Sequence, residues 1–482
     1  MRHLFPLLLL FLLMAMCSKK NSGKTPDPPI VPVVNSTVTI DRTQKYQTID
    51  GFGFFGAKGV WWDKASSLYN DIWGTQVIQD LGVTIWRTEL FPPSTTTVQQ
   101  DADWDKEKST VTGLSRIATA ERVPLKFIFT VWSPPADFKC ALDANDDPIT
   151  GTPNPGGTKN GGTLDPSKYS DYGNWIADGI QLFKNSGIDI YAFSPQNEPL
   201  FKQPFNSCFY KPTGSYANMI KNVIPTVKTR FPNVKVFGPE NMLEMEGGTD
   251  RQYFYNANLI SDNTALQNID ILAVHGYSDG ISPTGSSKLA NLWSTTKTEH
   301  AIPSGKPYWM TETSGYSDNW LGTAAQKSGA LNLAMDIHAA LYHGNASAWI
   351  WWQGSQNDAI GEFNLMKGTE EKGKKYYVSK HFYRFIRPGA RMVKVTYEEA
   401  AGIFVSAFEN TIMNSFTVVL INNSDKQVKI NFAGADIPDT FDYYLSTEAA
   451  GDNCSRQIPV AKDKVTLPPF SVTTLLNGSA YE

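Results

Sequence analysis

The chain has 482 residues, 41% of them apolar and 12% aromatic, and 43 Lys and Arg against 47 Asp and Glu give a formal net charge of −4. That length exceeds one domain of ordinary size and fits a large domain with a smaller partner. No long basic run interrupts the balance of charge, which argues against nucleic acid or an anionic membrane surface as a partner and is compatible with a neutral or weakly acidic polymer. The 13 Trp and 20 Tyr suit stacking on pyranose faces, although a large barrel also packs many aromatics.

At the N-terminus Arg2 and His3 precede an apolar run from Leu4 to Met16, and Cys17 follows at once. The run is too short to span a bilayer, which takes about 20 residues, and has the length of a signal-peptide core. Ending in a cysteine, it resembles a bacterial lipoprotein signal, although Met16 stands where Gly, Ala or Ser is usual. Residues 1–16 are expected to be removed, Cys17 to carry lipid, and the protein to be exported to the cell envelope. Residues 17–35, rich in Lys, Gly and Pro, bury too little apolar surface to fold and read as a tether. With Cys17 lipidated, Cys140, Cys208 and Cys454 remain, an odd number that cannot pair completely. For Cys140 and Cys208 a disulfide and two free buried thiols are both open.

Eight β-rich runs follow: Ile49 to Phe55, Val83 to Glu89, Leu125 to Trp132, Ile188 to Pro195, Val234 to Pro239, Ile269 to Tyr277, Lys306 to Thr313 and Ser347 to Gln353. Several are nearly continuous apolar stretches, as expected of parallel strands covered on both faces. Helical patterns lie between them. Tyr169 to Asn185 carries a 3.6-residue stripe through Tyr172, Trp175, Ile176, Ile180 and Phe183, and Ala324 to His343 behaves likewise. Alternating strands and helices over residues 49–387 predict an α/β fold, a (β/α)8 TIM barrel. Gly51 to Gly56 spells G-x-G-x-x-G, but within and after a strand and without a helical continuation, so it does not read as a dinucleotide site.

Past Pro388 the texture changes. Val393 to Thr396, Ile403 to Phe408, Ser415 to Ile421, Val428 to Phe432, Phe441 to Leu445 and Val465 to Leu467 are short alternating runs split by Asn, Gly, Asp and Pro. Residues 388–482 therefore predict an antiparallel β-sandwich side domain. Residues 36–48 are expected to supply its first strand, so both chain ends build it.

Catalytic groups of such barrels sit at the C-terminal ends of strands. Glu198 follows strand four in Ser194-Pro195-Gln196-Asn197-Glu198-Pro199, and Glu312 closes strand seven in Trp309-Met310-Thr311-Glu312. Glycoside cleavage needs such a pair: one carboxylic acid protonates the departing oxygen and an ionised partner meets the oxocarbenium-like centre. In a retaining enzyme the two stand roughly 5 Å apart, a separation reachable across the barrel axis. Two neighbouring carboxylates also drive their pKa values apart, as acid and nucleophile require. Asp143, Asn145 and Asp147 alternate like a calcium loop, but Asn154 stands where the closing Glu belongs and Pro148 breaks the pattern. No His/Cys cluster has zinc spacing, and this chemistry needs no cofactor.

With Gln47-Thr48-Ile49-Asp50-Gly51-Phe52-Gly53, Val131-Trp132-Ser133-Pro134-Pro135-Ala136, the two Glu motifs, Trp351-Trp352 and Phe385-Ile386-Arg387-Pro388-Gly389 in this order, the chain resembles glycoside hydrolase family 30 of clan A. The resemblance covers most of residues 36–482 and lies nearest the xylanase and glucuronoxylanase branch. It implies Glu198 as acid/base and Glu312 as nucleophile. It further implies that Asn197 bonds the sugar 2-hydroxyl, that Arg87 and Tyr277 hold the nucleophile, and that Trp132 and Trp351 line the sugar site. Read from the residues alone, the tryptophans could be barrel packing, Arg87 a structural partner of Glu89, and His275 either a core histidine or a subsite residue. The branch's glucuronoxylanases carry an Arg/Tyr loop after strand eight, where this chain reads Gln353-Gly354-Ser355-Gln356-Asn357-Asp358. That departure, with Pro135-Ala136-Asp137-Phe138 after strand three, leaves dependence on a glucuronate branch open. The expectation is a monomeric endo-β-1,4-xylanase acting on plant cell-wall polysaccharide. A β-1,6-glucanase or β-1,6-galactanase is the alternative, and a non-catalytic glycan-binding lipoprotein a further one, opposed by the presence of both Glu residues.

Overall fold

The structure is a computed structural model and describes residues 33–56, 70–90, 97–155, 160–203, 206–277, 287–324 and 328–481. The expected signal peptide, most of the tether and Cys17 lie outside the described residues. Eight parallel strands close into a barrel in chain order: Gly51–Phe55, Ile85–Glu89, Lys126–Thr130, Ile190–Ser194, Lys235–Met242, Ile271–His275, Tyr308–Glu312 and Ala348–Trp351. The last pairs with the first, Ala348 opposite Gly51. The expected (β/α)8 barrel is the observed one.

Period-two alternation sorts each strand into lumen and helix-facing residues. Ile85, Ile128, Ala192, Phe237, Ile271, Ala273, Trp309, Ala348 and Ile350 fill the lumen as one buried cluster. Their sequence neighbours, among them Trp86, Phe127, Leu272, Tyr308 and Trp349, belong to the larger layer between strands and helices. Gly53 explains the glycine string of the first strand. A Cβ there would stand 1.7 Å from the backbone oxygen of Ile85, so glycine is required for strands one and two to approach.

The helix Tyr169–Asn185 spans the expected residues and ends before Gly187, whose φ of 78° is the left-handed turn a helix terminus favours. The helix expected from Ala324 begins at Ala330. Asn332 turns back to accept the Gly329 N–H at 2.7 Å and so caps the helix at that point.

The side domain is one curled ten-stranded sheet. Its order is Asn453–Arg456, Thr440–Ser446, Ser471–Asn477, Ser415–Asn422, Ile403–Asn410, Arg391–Tyr397, Val33–Thr48, Gln427–Ala433 and Thr466–Leu467, with Val460–Ala461 beside Thr440–Ser446. The sheet closes over its own apolar core, including Val38, Ile40, Val405, Val418, Leu420, Ile430 and Leu475. Most ladders are antiparallel, but Val33–Thr48 runs parallel to Gln427–Ala433 while pairing antiparallel with Arg391–Tyr397. That strand starts at Val33, inside the segment read as tether. Ser471–Asn477 went unread because it sits mid-sheet with both faces covered and so lacks alternation. Two barrel helices carry the seam to this sheet. His338, on Ala330–Tyr342, bonds Ser406 Oγ (2.7 Å) and Tyr397 OH (3.0 Å). His381, on Lys374–Tyr383, bonds Thr474 Oγ1 (2.8 Å) and Ser446 Oγ (2.9 Å).

Candidate active site

The alternation that fills the lumen also aims the polar residues above it. Arg87 stands two residues after lumen Ile85, and His275 two after lumen Ala273, so both side chains enter the cavity at the C-terminal end of the barrel. Glu198 arrives differently. After strand four the chain turns through Pro195-Gln196-Asn197, where the Asn197 N–H bonds Val131 O (2.8 Å) and Tyr172 OH bonds Pro195 O (2.6 Å). Gln196 Nε2 braces the turn on the carbonyls of Trp132 and Asn197, both at 2.8 Å. Glu198 itself adopts a left-handed φ of 43°, a strained setting for a residue with a Cβ and one that clusters at functional sites.

Arg87 organises the centre. Its guanidinium donates to Glu312 Oε2 (2.6 Å), Asn197 Oδ1 (3.0 Å), Glu240 Oε1 (3.0 Å) and Thr130 Oγ1 (3.2 Å), with no exposed surface. Tyr277 OH donates to the other Glu312 oxygen at 3.0 Å, and burial with the Glu312 charge keeps that phenol protonated. Both oxygens of Glu312 thus accept a hydrogen bond, one from Arg87 and one from Tyr277. Glu198 has a contrasting environment. Burial, and more weakly the charge of Glu312, raise its pKa, while the hydrogen bond and charge of His275 pull the other way and do not cancel the rise. His275 Nδ1 lies 2.8 Å from Glu198 Oε1. Burial alone would discharge this histidine, but Glu312, Glu198 and Glu240 raise its pKa to about 9. One oxygen each of Glu198 and Glu312 and a nitrogen of His275 all lie within 4.8 Å of one another.

The structure gathers Arg87, Asn197, Glu198, His275, Tyr277 and Glu312 at one point. Trp132 lies beneath them, its ring 4.9 Å from the Arg87 guanidinium and 5.5 Å from Phe55. Trp351 does not join. It is fully buried, its indole N–H donating to Phe363 O and its ring packed near Tyr316. Alternation accounts for this correction: Ile350 faces the lumen, so Trp351 faces the helices. The half-buried Trp352 comes inward instead and stacks on Phe55 at 4.4 Å. His275 is fully buried and lies between the Glu198 and Glu240 carboxylates. Arg87 pairs with Glu240 and Glu312.

Glu240 was missed. It lies two residues before the end of strand five with a left-handed φ of 59°, is fully buried, and is brought to a pKa of about 2 by Arg87 and His275 although burial alone would raise it. The rule that selected Glu198 and Glu312 applied to Pro239-Glu240-Asn241 as well. Outside this centre, Cys140 and Cys208 are buried free thiols, which answers the open disulfide. The calcium-like loop is occupied by its own ion pairs, Lys211 to Asp147 at 2.8 Å and Lys202 to Asp146.

A cleft of about 530 Å³ opens beside the carboxylates, lined by Phe201, Met242, Gly276, Tyr277, Thr313 and Tyr316. Tyr277 thus serves both, its hydroxyl on Glu312 and its ring in the cleft wall. Glu198, His275 and Glu312 form the only cluster among the described residues with metal-ligand spacing. A cation there would meet the Arg87 charge already seated on Glu312, so the donor set does not suit one.

No protein-family model matches the chain. The glucuronoxylanase XynC of Bacillus subtilis is 26% identical over 401 residues, covering 82% of this chain and 80% of the relative. A family 30 endoxylanase from Clostridium papyrosolvens superposes with a TM-score of 0.69 at 23% identity, over 92% of this chain and all of that one. An endo-β-1,6-glucanase superposes with a TM-score of 0.70 at 20% identity, over 92% of this chain and 94% of that one. Among the described residues no helix is long and apolar enough to cross a membrane. Motifs, barrel and relatives agree: the chain is similar in sequence to a glucuronoxylanase and shares the barrel-and-side-sheet fold of family 30 glycoside hydrolases.

Proposed function

We propose that this protein is an exported, lipid-anchored endo-xylanase that cuts the β-1,4 backbone of xylan, with Glu198 as acid/base and Glu312 as nucleophile. One observation carries the assignment: two carboxyl groups with oxygens within 4.8 Å, one raised in pKa by burial and the other held by Arg87 and Tyr277. The spacing suits double displacement, for which retaining pairs stand about 5–5.5 Å apart, and leaves no room for the water an inverting pair must hold. Glu312 attacks the anomeric carbon as Glu198 gives its proton to the departing oxygen. Glu198, now a carboxylate, then takes a proton from the water that displaces Glu312, and the anomeric configuration is retained. Asn197 is fixed through its oxygen by Arg87, leaving its NH2 to donate to the sugar 2-hydroxyl. Trp132 and Trp352, packed on the buried Phe55, offer the sugar a stacking wall.

Xylan is favoured because relatives in sequence and in fold are named as enzymes acting on it. Export and anchoring rest on the apolar run to Met16 and on Cys17. A β-1,6-glucan is the second reading, supported by the β-1,6-glucanase fold relative and by the strand-eight loop without Arg. The product profile on glucuronoxylan, arabinoxylan, β-1,6-glucan and β-1,6-galactan tests the choice. Xylo-oligomers are expected, and turnover of a β-1,6 polymer alone would replace xylan with that substrate. Cys17→Ser is expected to move the protein from the detergent phase to the aqueous phase.

A further inference from the structure

Glu240 touches neither of the two proposed catalytic carboxylates, yet it meets a partner of each. Its Oε1 accepts from Arg87 at 3.0 Å, and Arg87 holds Glu312 and Asn197. The same oxygen lies 3.6 Å from His275 Nε2, in ion-pair range, and the opposite ring nitrogen holds Glu198. Glu240 and His275 have no exposed side-chain surface, so solvent does not screen the contact. The backbone is arranged for this aim. Glu240 takes a left-handed φ of 59°, and the next residue, Asn241, is tied by Nδ2 to Glu246 Oε1 and Tyr253 O, both at 2.9 Å. Glu246 is anchored in turn by the N–H groups of Tyr255 and Asn256.

We propose that Glu240 is a positioning residue for glycoside cleavage, a third carboxylate that joins Arg87 to His275 and thereby holds the acid/base and the nucleophile in register. The proposal rests on the roles given above to Glu198 and Glu312. Charge supports it. Arg87 and a charged His275 are two cations, and Glu240 is the carboxylate that faces both of them. Without Glu240 the buried site holds an uncompensated positive charge, and the first group it destabilises is the His275 imidazolium. The groups facing His275 are Glu198, Glu240, Glu312 and Tyr277. Those facing Glu240 are Arg87, His275, Ser194 and Tyr216.

The test compares Glu240→Gln and Glu240→Asp with wild type in the full-length protein. It uses xylan, β-1,6-glucan and an aryl β-glycoside whose leaving group needs no protonation, and follows His275 by ¹⁵N-imidazole NMR. Glu240→Gln is expected to lower kcat ~100-fold with KM changed little, the scale of a small misplacement of reacting groups. The loss should appear on the polymer and on the aryl glycoside alike, because the nucleophile is affected too. His275 should lose its proton at lower pH, and Glu240→Asp should restore part of both properties. Wild-type kcat and an unmoved His275 titration in Glu240→Gln would overturn the proposal. Should Glu240→Gln not fold, Glu240→Asp decides alone: a shifted His275 titration with reduced kcat supports the proposal, and wild-type values of both overturn it. Failure of the underlying roles would show separately, as full activity in Glu198→Ala and Glu312→Ala.

Discussion

Three buried histidines divide the molecule into two regions with opposite electrostatics. At the barrel mouth His275 meets Glu198, Glu240 and Glu312 and is charged, with a pKa of about 9. At the seam with the side sheet His381 meets only hydroxyls on its ring nitrogens, and burial lowers its pKa to about 3. His338, likewise between hydroxyls, is also held well below its usual value by burial. All three are fully or almost fully buried, so burial does not decide the charge; the partners do. The seam joins two bodies through neutral hydrogen bonds that cost little to keep, whereas the mouth concentrates ions whose balance can shift during a reaction.

Breaking the mouth should have the largest effect. Glu312→Ala is expected to lose on the order of 10⁴-fold in kcat, the scale of removing a covalent nucleophile, and azide should restore turnover as a glycosyl azide of inverted configuration. Glu198→Ala should lose about 10²–10⁴-fold on polymer and far less on an activated aryl glycoside, because only the polymer's leaving group needs its proton. Full activity of either variant on polymer would falsify the assignment. Next comes Arg87→Gln, expected to cost ~100-fold in kcat and, by removing the buried cation that Glu240 and Glu312 share, about 3–5 kcal/mol of stability in denaturant melts.

The seam should respond differently. His381→Leu removes one hydrogen bond each from Thr474 Oγ1 and Ser446 Oγ, which keep the His381 carbonyl and the Cys454 N–H as partners, at about 0.5–1.5 kcal/mol each, while leaving kcat per folded molecule unchanged. A fall in kcat larger than the fall in folded fraction would blur the contrast between the two regions. The smallest effect sharpens the contrast through pH. His275 has a raised folded pKa, so its contribution is full below the unfolded value of about 6.5 and is lost as pH rises through about 9. His381 has a lowered one, so its contribution is full above about 6.5 and is lost as pH falls toward about 3. Melts of His275→Gln and His381→Leu against pH should therefore converge on wild type at opposite ends of the range.

The barrel was legible because buried parallel strands are short apolar runs that helices separate at regular spacing. The two catalytic candidates were legible because each ends such a run within a distinctive motif. Trp351 was misplaced because strand and motif were read without counting the alternation from Ile350, which gives the inward place to Trp352. Glu240 escaped because its importance comes from Arg87 and His275, on strands distant in sequence, and a left-handed backbone leaves no mark in residue type. Ser471–Asn477 escaped because a strand covered on both faces has no period to read.

The pairing of Val33–Thr48 has a consequence for how the chain acquires its shape. This strand emerges first from synthesis, yet its partners are Arg391–Tyr397 and Gln427–Ala433, made near the end. Contacts so distant along the chain form slowly, since the loop between them must first be closed. The side sheet therefore cannot be completed until nearly the whole polypeptide is available. Until then the strand waits unpaired, although the barrel, whose last helix ends at Tyr383, already has all of its sequence.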